Sequence, residues 1–187
     1  MFRFVGGRLC LDFVGTLKWR TSVPVEQLAT SDGLVSWVVQ AGIVDVPPSS
    51  TLDDVAMARA LRESLYAVLT ALLDDRDATS GDVASVNGAA GPIIDARIDR
   101  AGTRTRTGTI EQALSVVARD AIDLIGEFDG QIVRRCAGTA CTRLFVDSSR
   151  AKNRRWCGMD ECGNQAKVRR YRSGTSTRPA PKATSLD

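Results

Sequence analysis

The chain of 187 residues contains no histidine. That absence removes imidazole acid–base catalysis and every histidine-based metal site. Aromatic residues are sparse, at 5%. No stretch approaches the roughly 20 apolar residues of a membrane-spanning helix. The opening MFRFVGGRLCLDFVG has neither a long apolar core nor a small-residue cleavage site, so no signal peptide and no membrane association are expected. Gly6 and Gly7 lack the spacing of a phosphate-binding loop. Without histidine a general base would have to be aspartate, glutamate, lysine or tyrosine. Asp12 is one candidate, but beside an apolar run it reads first as a turn or cap residue. No enzyme is expected.

Cysteine is what the chain does carry in pattern. Four of its five cysteines form two matched pairs, Cys136-x4-Cys141 and Cys157-x4-Cys162, with 15 residues between them. That spacing reads as one tetrahedral all-thiolate zinc site. Four protein ligands leave no position open for water, so the ion is expected to be structural. A disulfide reading requires an oxidising compartment and leaves Cys10 unpaired, whereas a cytoplasmic chain keeps its thiols reduced. Cys10 itself, inside an apolar run, is expected to be a small buried hydrophobe.

Charge divides the chain at the same place. Residues 131–187 hold 13 Lys and Arg against 4 Asp and Glu, a net +9, while residues 1–130 hold 12 against 18, a net −6. One zinc on four thiolates carries −2, which leaves the C-terminal part at about +7. An acidic front and a basic, metal-organised end point to an anionic polymer as partner.

The patterning predicts an α+β chain: a mostly helical domain over 1–130 with short β-hairpins, a four-cysteine module over 131–172, and a disordered tail over 173–187. Two apolar runs flanking Gly6 and Gly7 predict a hairpin over 2–14. Residues 24–30 suggest one helical turn. Helices are predicted over 31–41, capped by Ser31 or Asp32, and over 52–74, capped by Thr51 or Ser50. A short helix is predicted over 83–89, and another over 110–128 that Asp129 and Gly130 stop. The stripe Val55, Ala58, Leu61, Leu65, Leu69 and Leu72 should face the core. Residues 92–99 and 103–109 predict a second hairpin, with Ile94, Ala96 and Ile98 on one face.

In the module, a strand over 132–135 should lead into the first cysteine pair, and Leu144 to Val146 should return beside it. A helix should follow Cys162. Eight cations fall within residues 150–172: Arg150, Lys152, Arg154, Arg155, Lys167, Arg169, Arg170 and Arg172. Such a run can be a plain solvated face, but beside a rigid metal scaffold it reads as a grip on phosphates. Asn164 and Gln165, at the helix start, could enter a groove and read bases. Trp156 reads as packing on the zinc core, and Tyr171 could stack on a base.

The stretch WCGMDECGNQAKVRRYR, with CAGTACTRLFVDSSRAKNRRWC before it, resembles the CGNR zinc-finger family. The head, LCLDFVGTL, followed by EQL and a tryptophan-bearing helix ending in AGIV, resembles the ABATE domain that precedes this finger. Two positions depart from the pattern: Gln165 stands where the finger motif has Arg, and Gly15 where the head commonly has Asn. The resemblance implies a bacterial transcription regulator with a DNA-binding finger. The first domain would then sense a small-molecule effector or form a homodimer. RNA binding and a zinc-stabilised protein adaptor are the other readings, since cationic surface alone does not separate DNA from RNA.

Overall fold

The computed structural model describes residues 2–127 and 133–173. The expectations for Phe128, Asp129, Gly130, Ile132 and the tail beyond residue 173 lie outside these. The chain is α+β, with helices α1 (Leu9–Val14), α2 (Ser31–Gln40), α3 (Leu52–Leu73), α4 (Ser80–Ala89), α5 (Ile110–Gly126) and α6 (Asn164–Ser173). Among the described residues the strands are β1 (Leu17–Lys18), β2 (Val25–Glu26), β3 (Asp95–Ile98), β4 (Arg104–Thr107), β5 (Val133–Arg135) and β6 (Leu144–Val146), paired as three antiparallel two-stranded hairpins.

The long helices start where side chains satisfy free backbone N–H groups. Thr51 accepts from the Asp54 amide while Asp54 accepts from the Thr51 amide, a reciprocal box that starts α3. Thr109 and Gln112 do the same for α5. Thr30, rather than Ser31 or Asp32, caps α2. The faces of α2, α3 and α5 that carry apolar residues at helical spacing close on one another and on α1. Trp37 and Phe13 meet at the centre with ring centroids 4.9 Å apart. Leu34, Leu65, Leu69, Leu114, Val117 and Leu124 pack around them, all buried. Burying each large side chain contributes about 1.5–3 kcal/mol relative to exposure.

The opening differs from the expected hairpin. Residues 9–14 are helical because the positions to be buried are 10, 11, 13 and 14, a helical set rather than an alternating one. The cap comes from elsewhere: the Asp120 carboxylate on α5 accepts the Cys10 amide at 2.8 Å and the Arg8 Nε at 2.8 Å. Cys10 is fully buried, and that burial pushes its thiol pKa up. Asp12 ties down the turn that leads into α1. One of its oxygens accepts the Val5 and Gly6 amides, both at 2.7 Å, and burial pushes its carboxyl up to about 6.

Two further differences concern strands. Residues 25–26 pair with 17–18, Leu17 opposite Glu26, in place of a helical turn. The β3–β4 hairpin forms in the expected register region, Asp95 opposite Thr107, but β3 is exposed along its length, so Ala96 and Ile98 line no buried face. What holds it is Arg106, which donates to Asp45 at 2.7 Å and to the Gly42 carbonyl.

A buried cation sits within α3. Arg62 is 2% exposed and donates to both Glu26 oxygens at 2.6 and 2.7 Å, to Glu63 at 2.8 Å and to Thr16 at 3.3 Å. It ties β2 to α3 in a bidentate pair.

The β5–β6 hairpin belongs to two cores at once. Side chains alternate along a strand. Leu144 and Val146 therefore turn with Val133 toward the helical core, while Phe145 turns toward the cysteines. Arg135 fastens β5 to the end of α3 through Asp74, at 2.7 and 2.9 Å, and the Thr70 carbonyl. The N-terminal segment closes the seam. Gly6 O accepts the Val146 amide at 2.7 Å, Val5 packs on the cysteine cluster, and Arg3 pairs with Asp160 at 3.0 Å. Gly7, at φ +80°, turns the chain beside Val146 in a backbone conformation that strains any residue with a β-carbon.

Candidate metal centre

Two knuckles present the sulfurs. In the first, the Cys136 amide bonds to the Arg143 carbonyl at 2.9 Å, extending the β5–β6 ladder, and the Cys141 amide returns to Gly138 O at 3.0 Å. Gly138 is required by space. A β-carbon there would sit 2.9 Å from Cys162 Sγ and 3.1 Å from Cys141 Cβ. In the second knuckle, Cys157 precedes a π-helical turn, Met159–Gly163, that carries Cys162 and runs into α6. The amides of Cys157 and Gly138 point at Cys136 Sγ, 3.3 and 3.5 Å away.

Four thiolates on a tetrahedron with zinc–sulfur bonds of about 2.3 Å have sulfur–sulfur edges of about 3.8 Å. Cys141 and Cys157 Sγ are 3.8 Å apart, Cys157 and Cys162 Sγ are 3.8 Å apart, and all four sulfurs lie within 4.8 Å of one another. The donor set and its spacing fit one zinc ion. Bonds from the Cys141 and Cys157 thiols hold Cys136 at about 2, while the bond to Cys136 pushes Cys141 up to about 12. Bonds with Cys136 and Cys141 raise the Cys157 thiol as well. Burial, then the charge on Cys157 and Cys136, pushes Cys162 up to about 12. Four sulfurs this close ionise together only around a cation.

The surrounding loop is pinned by Asp147, which the sequence did not single out. It is fully buried and accepts the Ser149 amide and hydroxyl at 3.0 and 2.6 Å and the Arg154 amide at 2.8 Å. Burial alone would raise its carboxyl, but these donors and the Arg134 guanidinium outweigh it and hold it below the ordinary range.

The arrangement is that of a known module. The CGNR zinc-finger model matches residues 133–173, and the model named ABATE, described as "Putative stress-induced transcription regulator", matches residues 7–127. The chain belongs to the ABATE family. None of the curated proteins compared with it matches. This ABATE protein thus carries a C-terminal finger that holds a single structural zinc through Cys136, Cys141, Cys157 and Cys162. Among the described residues no helix is long and apolar enough to cross a membrane.

The ten basic and polar residues expected around the metal do not all face outward. Arg150, Lys152, Arg155, Asn164, Gln165, Lys167, Arg169, Arg170 and Arg172 are exposed. Arg154 is not a surface grip. Its guanidinium lies 4.4 Å from the Phe145 ring centroid and donates to the carbonyls of Trp156 at 2.9 Å, Val5 at 3.0 Å and Cys157. It is the rivet between the N-terminal segment and the second knuckle. Lys152 is partly committed too, its Nζ on the Asp147 carbonyl at 3.1 Å. Arg169 reaches back to Thr139 in the first knuckle. Trp156 packs on the cysteine cluster as expected, half-buried. Tyr171 is 77% exposed.

The two departures from the family pattern fall at different places. Gln165 lies in the first turn of α6, in solvent. Gly15 ends α1 facing the finger, and a β-carbon there would lie 3.6 Å from Nε of the buried Arg143. Position 15 is therefore part of the seam between the helical region and the finger.

Gly138→Ala is expected to weaken zinc binding at least tenfold while leaving the helical region folded, because the added methyl occupies the space of a ligand sulfur. Competition with a chromophoric chelator measures it. Equal affinity in the variant would show that the first knuckle has room the structure denies it.

Proposed function

We propose that this chain is a DNA-binding regulator that grips the phosphate backbone through the surface the zinc ion organises. The observation that carries this is the sorting of charge around the metal. Arg150, Arg155, Lys167, Arg169, Arg170 and Arg172 stand in solvent on the segment before the second knuckle and on α6. The nearby acids are engaged: Asp147 is buried, and Asp160 and Glu161 pair with Arg3 at 3.0 and 3.5 Å. Phosphate contacts carry most of such affinity and make it salt-dependent. The helical region would then be the part that senses an effector or pairs two chains, since the finger alone is too small to read a long site.

The expected result is binding to duplex DNA at low salt that weakens steeply as salt rises. The double change Arg169→Ala and Arg170→Ala should flatten the slope of log affinity against log salt by about 2. Anisotropy titrations at several salt concentrations measure this. No binding at low salt by zinc-loaded protein would end the proposal, and preference for an RNA duplex of matched sequence would move it to RNA.

A further inference from the structure

Beside the metal the finger is concave. Two adjoining recesses of about 530 and 500 Å³ share Arg155, Trp156 and Met159 as common lining. Lys167, Ala166 and Arg170 on α6 also line the larger one. These volumes lie within the range of small-ligand pockets.

The chemistry of the lining is mixed in a specific way. Trp156 rests part of its surface on the cysteine cluster, which fixes the ring, and turns the rest into the recesses. The Arg155 guanidinium carbon stands 5.4 Å from the ring centroid. Aromatic faces and guanidinium planes are the two side-chain surfaces on which bases stack. Met159 is 57% exposed at the rim, a soft apolar contact for a third edge. It lies against the start of α6 because position 163 is glycine, where a β-carbon would meet Met159 Sδ at 2.6 Å. Lys167 and Arg170 supply positive charge at the mouth. An apolar peptide gains nothing from two cations, and a bare phosphate gains nothing from tryptophan and methionine. A nucleotide uses both.

We propose that this recess takes an unstacked base of single-stranded DNA, with the flanking phosphates on Lys167 and Arg170. A paired base, stacked within a duplex, presents only its edge and cannot enter a concave site, so the finger prefers unpaired or locally opened strands. This inference rests on the reading of the finger as a nucleic-acid grip and adds what it holds.

The test uses full-length, zinc-loaded protein and three labelled probes of one length: a mixed-sequence single strand, its duplex, and the single strand with abasic sites. At equal salt the single strand should bind at least tenfold more tightly than the duplex, and the abasic strand should lose that advantage. Trp156→Leu should weaken single-strand binding by roughly 5- to 150-fold, the equivalent of one lost stack. Trp156→Phe, which keeps an aromatic face, should stay within about threefold. Zinc content is measured on each variant, and Met159→Ala, at an exposed position, serves if Trp156→Leu loses the metal. The abasic comparison needs no variant at all. Equal binding of single strand, abasic strand and duplex would overturn the base pocket and leave the phosphate grip standing. Failure of all three probes to bind would overturn both.

Discussion

Cys157→Ser is expected to abolish stoichiometric zinc binding and to unfold the finger. Cys157 is 1% exposed and its sulfur stands 3.8 Å from those of both Cys141 and Cys162, so it is the most buried corner of the cluster. A serine hydroxyl is a poor zinc donor at neutral pH and leaves three thiols crowded without their cation. Apolar burial around the knuckles is small. The cysteine cluster buries one large aromatic, Phe145, with Val5 and Trp156 at its edges. Metal binding in small all-protein sites supplies of order 10 kcal/mol or more, far beyond what those few contacts replace. The expected observations are the loss of one zinc per chain and the collapse of amide dispersion for residues of the finger. The effect should also reach into the helical region. Val133, Leu144 and Val146 belong to its core, and Val5 and Gly6 are held from the finger side. That region should remain folded at 25 °C but melt at a lower temperature than in the intact protein. Treatment with a strong chelator should reproduce both effects in the unaltered chain. A variant that keeps one zinc and its native amide spectrum would refute this.

Arg62→Ala should destabilise the helical region by about 3–5 kcal/mol, the usual consequence of removing one partner from a buried charge pair. Glu26 and Glu63 would be left with Arg59 and Arg20 as partners, at 3.5 Å and in close contact respectively, and Thr16 would lose its donor. Arg62→Lys should recover little, because one ammonium cannot span both Glu26 oxygens. Replacing Arg62 and Glu26 together by methionine and glutamine should recover much of the loss, since no bare charge remains. A pH signature accompanies this. Burial alone would raise the carboxyls of Glu26 and Glu63, but bonds from Arg62 and, for Glu63, Arg20 outweigh it and hold both below the ordinary 4.5. Their contribution is therefore complete above about pH 4.5 and is lost as acid protonates them at lower pH. Denaturant unfolding from pH 3 to 7 should show intact protein losing stability below pH 4.5, with a flatter profile in Arg62→Ala. Equal stability of the two proteins would mean that the pair is not buried as described.

The three long helices were legible because their signals are local. A cap, an acidic first turn and a stripe at 3.6-residue spacing all lie within one segment. Helix α1 was not. Its six residues are too few to show a period, and its cap is Asp120, more than a hundred positions away. The β1–β2 hairpin failed for a similar reason, with two-residue strands and Pro24 suggesting a turn of helix. Arg62 lies on the buried stripe of α3 by spacing, midway between Ala58 and Leu65, but a charge there reads as solvent-facing until Glu26 is seen to meet it. The metal site was legible in full, because thiolate chemistry and the paired spacing leave few alternatives in a chain without histidine. Which cations point outward was not. Nothing in the run Asn153, Arg154, Arg155 distinguishes the residue bonded to a cluster of carbonyls from the one that stands in solvent.

The zinc ion organises the finger, and X-ray absorption at the zinc edge on freshly isolated full-length protein reports on it. One zinc per chain, with four sulfur neighbours at about 2.3 Å and no nitrogen or oxygen in the first shell, is the predicted result. A spectrum requiring oxygen or nitrogen ligands, or protein isolated without stoichiometric metal, would contradict it.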